Sequence, residues 1–302
     1  MSGMAAEAMT LAPERPRRRI RPRLWWLVAP AILVFLVFFL LPIVSLLAIS
    51  FDKSTAGVVT FQGNLTFDNY TRIFTREIYY MAILRSIWLG GLVAAICLVL
   101  GYPLAFIIAR AIRPSTATLL TLLVLISMQL DMVIRLYGLM VLMGDNGIIN
   151  QALIGMGLIS DPLPLMYNPF GVVVGLVQIT LPFMILSLIG AIKAISPSLE
   201  EAARSLGASR WEAMWQVTLP LSLPGIYAGT LLVFALAISS YVVPALMGGW
   251  KVVTLPIHIY QQIAEVGRWQ FGAAIGTVLF VTALLALAVY VLALKRQAGG
   301  RV

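Results

Sequence analysis

The chain has 302 residues, 61% of them hydrophobic and 11% charged, with a formal net charge of +9. Soluble domains carry roughly 45–50% apolar and 25% charged residues, so water is excluded as the main solvent. A single cysteine, Cys97, excludes a disulfide framework and reads as a small buried hydrophobe.

In chain order, a basic tail over 1–23 precedes an apolar run, 24–50, that is too long for the h-region of a secretion signal and reads as a retained first span. Uncharged stretches at 24–51, 86–109, 162–192, 213–250 and 269–294 all reach the ~20 residues that a helix rising ~1.5 Å per residue needs to cross hydrocarbon. A further stretch, 117–143, is interrupted only by Asp131 and Arg135. The expected fold class is all-α, a polytopic membrane protein with six transmembrane helices.

Sorting Lys and Arg by side of the membrane puts 14 of the 21 with the two termini and the loops after the second and fourth spans, and 6 on the opposite side. Arg135 lies within the third span. That asymmetry predicts cytoplasmic termini and external segments at 51–79 and 248–270. The basic tail lacks interleaved aromatics for base stacking and adjoins a span, so it predicts contact with anionic lipid and no nucleic acid. Within 51–79, Asn64-Leu65-Thr66 and Asn69-Tyr70-Thr71 match the glycosylation triplet, which is common by chance.

Nothing along the chain looks catalytic. There is no GxxxxGK[ST], no HExxH, no paired-cysteine spacing and no nucleophile elbow, so no enzyme activity, metal or cofactor is expected in this chain. The sole histidine, His258, reads as a polar residue of an external loop. If transport is driven by ATP, hydrolysis takes place on another polypeptide.

The loop between the fourth and fifth spans, 196–220, is the most informative segment. Ser196 is placed to cap a helix whose first residue is Pro197; Glu200 and Glu201 suit its positive end, and Gly207 supplies the left-handed residue that ends it. Ser209 and Glu212 have capping-box spacing for a second helix, predicted to stop ahead of Pro220. Leu199, Ala202, Ala203 and Leu206 form an apolar stripe on the first helix, and Trp211, Met214 and Trp215 one on the second. Lying in the membrane interface would account for the hairpin. Small residues beside Glu201 favour docking onto a partner.

Glu201-Ala202-Ala203, Gly207 and Val217-x-Leu219-Pro220 resemble the EAA loop, EAA-x3-G-x9-I-x-LP, of the permease subunits of type I ABC importers, with Val217 the one conservative departure. The resemblance covers 80–294 and implies that family's transmembrane domain, with a C-terminal tail at 295–302. It further implies that Glu201, Ala202, Ala203, Gly207, Leu219 and Pro220 couple to the ATPase. The implied partners are a second permease, two cytoplasmic ATPase subunits that bind ATP and Mg, and an extracytoplasmic solute-binding protein. Arg135-Leu136-Tyr137-Gly138, Gly144–Asn150 and Tyr241–Gly249 resemble segments of permeases for spermidine and putrescine, which implies a polyamine or related small solute. The alternative class is a secondary transporter running on an ion gradient, against which stand the loop and the absence of an inverted repeat.

Within the spans, Asp131 and Arg135 are four residues apart, so an ion pair is geometrically available. Each charge alone costs about 2.5 to 3.5 kcal/mol at a helix centre, so both mutual neutralisation and exposure to the solute path fit. Tyr137 and Tyr241 complete the predicted pathway set, with Pro182 and Pro244 expected to kink the fourth and fifth spans. Gln129, Gln178, Thr180, Ser187, Ser239 and Ser240 fit either the pathway or bonds between helices.

Overall fold

The computed structural model describes residues 23–57 and 61–299. The arginines of 1–22, and Arg301 in the C-terminal tail, lie outside the described residues. Among those described the architecture is helical, with one isolated bridge between Asp52 and Leu65.

The chain divides into two units, Met1–Leu46 and Leu47–Val302. In the first, α1 (Arg23–Phe35) passes through a π-helical stretch, Leu36–Leu40, into α2 (Leu41–Ser50). Phe35 stacks on Phe39 at 4.9 Å. Leu33, Phe38 and Leu41 are all exposed, so this rod is apolar on every side, as a helix surrounded by lipid or other chains must be.

The second unit starts with α3 (Asp68–Thr75) and α4 (Glu77–Ala109), followed by α5 (Pro114–Gln129), α6 (Met132–Met143) and α7 (Ile148–Gly155). Next come α8 (Pro169–Lys193), α9 (Pro197–Ser205), α10 (Arg210–Ala213), a π-helical turn (Met214–Thr218) and α11 (Leu219–Leu221). The unit ends with α12 (Leu223–Ile238), α13 (Val242–Gly248), α14 (Leu255–Tyr260), another π-helical turn (Gln261–Glu265) and α15 (Trp269–Gly299).

Helices α4, α8 and α12 pack pairwise into the main core, burying Val93 and Cys97, Leu176 and Leu188, and Val233. Lipid is as apolar as leucine, so helices within a membrane need close approach and hydrogen bonds to associate. Gly225 and Gly229, four apart on α12, supply the approach: a Cβ on Gly225 would overlap Ala191, and one on Gly229 would stand 2.8 Å from Met184 Sδ. Polar side chains do the bonding. The Ser187 hydroxyl donates to the Gly225 carbonyl at 3.3 Å, Tyr102 and Ser222 share a hydroxyl bond at 3.0 Å, and Cys97 meets Thr180 at 3.4 Å.

A smaller cluster joins α3, the start of α4, α14 and α15 through Ile73, Tyr79, Leu255, Phe271 and Ile275. It overturns the reading of His258 as a loop residue. The imidazole is buried on α14, edge-on to Tyr79 at 5.0 Å and bonded through Nδ1 to Gln261 at 3.0 Å. Asn69, the acceptor of one glycosylation triplet, is also buried: its amide donates to the carbonyls of Ser50 and Asp52, both at 2.9 Å.

Five helices among the described residues are long and apolar enough to cross a membrane: Val28–Ser50, Glu77–Ala109, Met132–Gly155, Pro169–Lys193 and Trp269–Val289. The bent pair Arg210–Leu221 and Leu223–Ile238 brings the number to six if it counts as one. The predicted span 117–143 is not one helix. It breaks at Leu130, whose ψ of 135° is extended, into α5 and α6.

Candidate functional site: the 194–222 loop and two broken spans

Residues 194–222 form a loop whose parts are fixed one bond at a time. α9 begins at Pro197, but the Ser196 hydroxyl makes no cap; it bonds Ser198 Oγ at 2.7 Å instead. Its end is a Schellman motif. Gly207, at φ +99°, donates to the Arg204 carbonyl at 3.0 Å and Ala208 donates to the Ala203 carbonyl at 3.2 Å. The capping box forms as expected: Ser209 N donates to the Glu212 carboxylate at 2.6 Å and Glu212 N to Ser209 Oγ at 3.2 Å. The Ser209 bonds hold the Glu212 carboxyl below its ordinary range.

Contrary to expectation, this second helix does not stop ahead of Pro220. A π-turn, in which Leu219 N reaches back to the Met214 carbonyl, carries it through α11 to Ser222. Proline has no N–H to contribute, and the widened turn accommodates it. The axis then bends by 68° into α12.

Sequence reasoning assigned Glu200 only to the helix N-terminus. It is instead the centre of a knot. Its Oε1 accepts from Arg110 Nε and from Thr218 Oγ1, both at 2.8 Å, and stands 2.7 Å from Arg110 Nη2, which also donates to the Ile195 carbonyl at 3.0 Å. This is the one ion pair among the described residues, and it ties α9, the end of α4 and the π-turn together. Arg110 and Glu200 are 90 positions apart, so no local pattern announces them.

Glu201 takes no part in this knot. Its side chain is exposed and its carboxylate has no partner among the described residues. Ala202 is exposed and Ala203 half-buried, while Leu206 is 91% exposed. The predicted stripe on α9 is an unoccupied face. Leu219 and Pro220 lie half-buried behind it, beneath the elbow.

The pathway candidates sit at two broken spans. The expected ion pair between Asp131 and Arg135 does not form. Asp131 is the N-cap of α6, accepting from Val133 N at 2.8 Å and Ile134 N at 3.3 Å, while Arg135 Nη1 reaches back to the Ser127 carbonyl at 2.9 Å. A broken helix offers free N–H groups with partial positive charge on one side and free carbonyls on the other, and each charged residue takes the matching end. Tyr137 projects from α6 and is exposed.

The second break, at Ser239–Tyr241, separates α12 from α13, and Pro244 lies in the first turn after it. Pro182 is contained within the single helix α8. Tyr241 stacks on Tyr260 at 4.7 Å and 28°. Sequence reasoning missed this partner, which arrives from α14. No hydrogen bond, ion pair or ring contact joins Tyr241 to Asp131, Arg135 or Tyr137. The helices that follow the two breaks nonetheless meet at Gly175, where an added Cβ would stand 2.8 Å from Val243 and 3.4 Å from Leu136.

Residues 101–298 match the sequence pattern of the binding-protein-dependent transport system inner membrane component family. The chain belongs to this family. The permease is 38% identical over 258 residues to the spermidine/putrescine transport system permease protein PotB of Haemophilus influenzae, covering 85% of this chain and 88% of that protein. To PotB of Escherichia coli it is 37% identical over 228 residues, covering 74% and 81%. Its fold is that of a bacterial alginate ABC transporter crystallised with its alginate-bound periplasmic protein, with TM-score 0.68, 20% identity, and coverage of 87% of this chain and 92% of that one. These relatives are transport permeases, and the chain is a transport protein of the inner membrane rather than an enzyme.

Proposed function

We propose that this permease is one transmembrane subunit of an ATP-binding-cassette importer for a polyamine or a closely related small cationic solute. It forms the pathway with a second permease, receives the solute from an extracytoplasmic binding protein, and is driven by two cytoplasmic ATPase subunits that bind ATP and Mg. Both termini and the loop at 196–220 face the cytoplasm. The observation that carries this reading is the α9 face, with Glu201 and Ala202 outward, Ala203 half-buried beside them and Gly207 closing the helix, displayed on a loop anchored by Glu200. A face so rigidly presented and so little covered suits a partner's cleft.

The substrate class rests on the permeases to which the chain is similar and on the Tyr241–Tyr260 stack, since aromatic faces attract ammonium groups. Asp131, Arg135 and Tyr137 line the same route at the other break, where helix ends hold the two charges.

The test is Glu201→Lys and Gly207→Val, with ATPase retention on the purified complex and spermidine uptake in cells as readouts. Both variants are expected in the membrane with the partner permease, without uptake. Normal uptake by both would remove the coupling role. Orientation is tested separately, with single cysteines at Thr55 and Ala264 in a Cys97→Ala background. Both are expected to label with a membrane-impermeant thiol reagent in intact cells, and protection of both would invert the topology.

A further inference from the structure

Two cavities meet at the elbow. One, of about 780 Å³, runs between α4 and the α10–α12 bend, lined by Val99, Pro103, Phe106, Trp215, Leu223 and other apolar side chains. The second, of about 840 Å³, opens between the α4–α5 turn and α9, and brings Arg110, Arg113, Arg204 and Arg210 around one space. Phe106, Ile107 and Arg210 line both, so the apolar groove continues directly into the basic one.

The charges in that space are unequal. Glu200 neutralises Arg110, and Glu201 is the other carboxylate. Arg113, Arg204 and Arg210 have no ion pair among the described residues. Trp211 and Trp215 stand 66% and 59% exposed at the groove. Exposed indoles beside arginines at the end of apolar helices mark the depth where hydrocarbon gives way to headgroups.

We propose that this composite groove binds one anionic phospholipid. An acyl chain lies in the apolar part against Val99 and Leu223, and the phosphate sits at Arg113 and Arg210, with Arg204 at its rim. Charge complementarity selects the occupant: a free phosphate would leave the apolar cavity uncovered, and a zwitterionic lipid would bring a second cation into an already basic space. Both cavities are within the roughly 300–1,000 Å³ of small-ligand sites. Basic pockets at the ends of transmembrane helices hold acidic headgroups by the same chemistry. The site stands whether or not the loop docks an ATPase, because its phosphate contacts, Arg113 and Arg210, lie outside α9.

The experiment uses the intact transporter complex in phosphatidylcholine nanodiscs containing a trace of phosphatidylglycerol with a photoreactive acyl chain. Crosslinked peptides are expected from 98–107 and 211–226. Arg113→Gln with Arg210→Gln should lower that labelling roughly 25-fold, about a factor of five for each charge removed. Arg113→Lys with Arg210→Lys should retain most of it, which separates loss of charge from misfolding. Val99→Trp, which fills the groove and keeps the arginines, should abolish it. Three outcomes would overturn the proposal: equal labelling by a photoreactive phosphatidylcholine, indifference to Val99→Trp, or displacement of the lipid by millimolar glycerol phosphate.

Discussion

The 194–222 loop and the break at Ser239–Tyr241 are both departures from straight helix, yet they are built on different principles. In the loop, each bend is dictated by residues within a few positions of it: Pro197 opens α9, Gly207 at φ +99° closes it, and Ser209 with Glu212 opens the next helix. The breaks at Leu130 and at Ser239–Tyr241 contain neither glycine nor proline. At Leu130 the holding groups are again near in sequence, Asp131 on the first N–H groups of α6 and Arg135 on the Ser127 carbonyl eight positions back, whereas at Ser239–Tyr241 the partner is Tyr260 from α14. Local chemistry can be read from a sequence. A break satisfied by distant partners looks like uninterrupted hydrocarbon.

The comparison breaks first at Glu200, where the locally coded loop depends on a distant residue. Glu200→Ala strands Arg110 and frees Thr218, and is expected to cost about 2–3 kcal/mol, the range for hydrogen bonds to a charged group that is mostly buried. Thermal unfolding of the purified complex measures it. Adding Arg110→Ala should recover part of the loss, whereas strict additivity would mean that the knot is not a coupled unit.

Gly207→Ala sharpens the local half. Nothing lies within 4 Å of where its Cβ would sit, so any penalty, expected near 1–2 kcal/mol, comes from the left-handed backbone alone. An equally stable variant would show that the loop tolerates another ending.

Asp131 tests the break at Leu130. As a cap, Asp131→Ala should cost about 1 kcal/mol and Asp131→Ser close to nothing, with uptake maintained in the serine variant. Loss of uptake with Ser at this position would assign the carboxylate to the solute instead.

The smallest effect is pH dependence at His258. Burial pushes this imidazole down, with a smaller push from the Arg85 charge, against the bond that its Nδ1 donates to Gln261. A base whose folded pKa lies below its unfolded value of about 6.5 contributes its full share above that value and loses it as pH falls. Complex stability should therefore decline below about pH 6.5, less steeply in His258→Gln.

The long apolar stretches and the helix ends at Gly207 and Ser209 were legible because lipid enforces long uncharged runs and because caps and left-handed glycines have fixed spacings. What could not be read was pairing. Asp131 and Arg135 are spaced for an ion pair on a continuous helix, but the helix is not continuous, and each found a helix end. Pro220 looked like a stop because a π-turn, which has no sequence signature, removes the usual objection to proline. Glu200 and Arg110, or Tyr241 and Tyr260, meet only after the three-helix core has closed.

The elbow has a mechanical consequence. The Arg210–Leu221 arm, roughly 18 Å long at ~1.5 Å per residue, leaves the α12 axis at 68°. A helix cranked in this way converts rotation about its own axis into a sideways sweep at its tip. A turn of α12 by only about 10° would carry the start of α10 roughly 3 Å, and the reverse stroke would wind α12 when the tip is pushed. The far end of α12 is the Ser239–Tyr241 break, so a displacement at the loop arrives at Tyr241 as torsion.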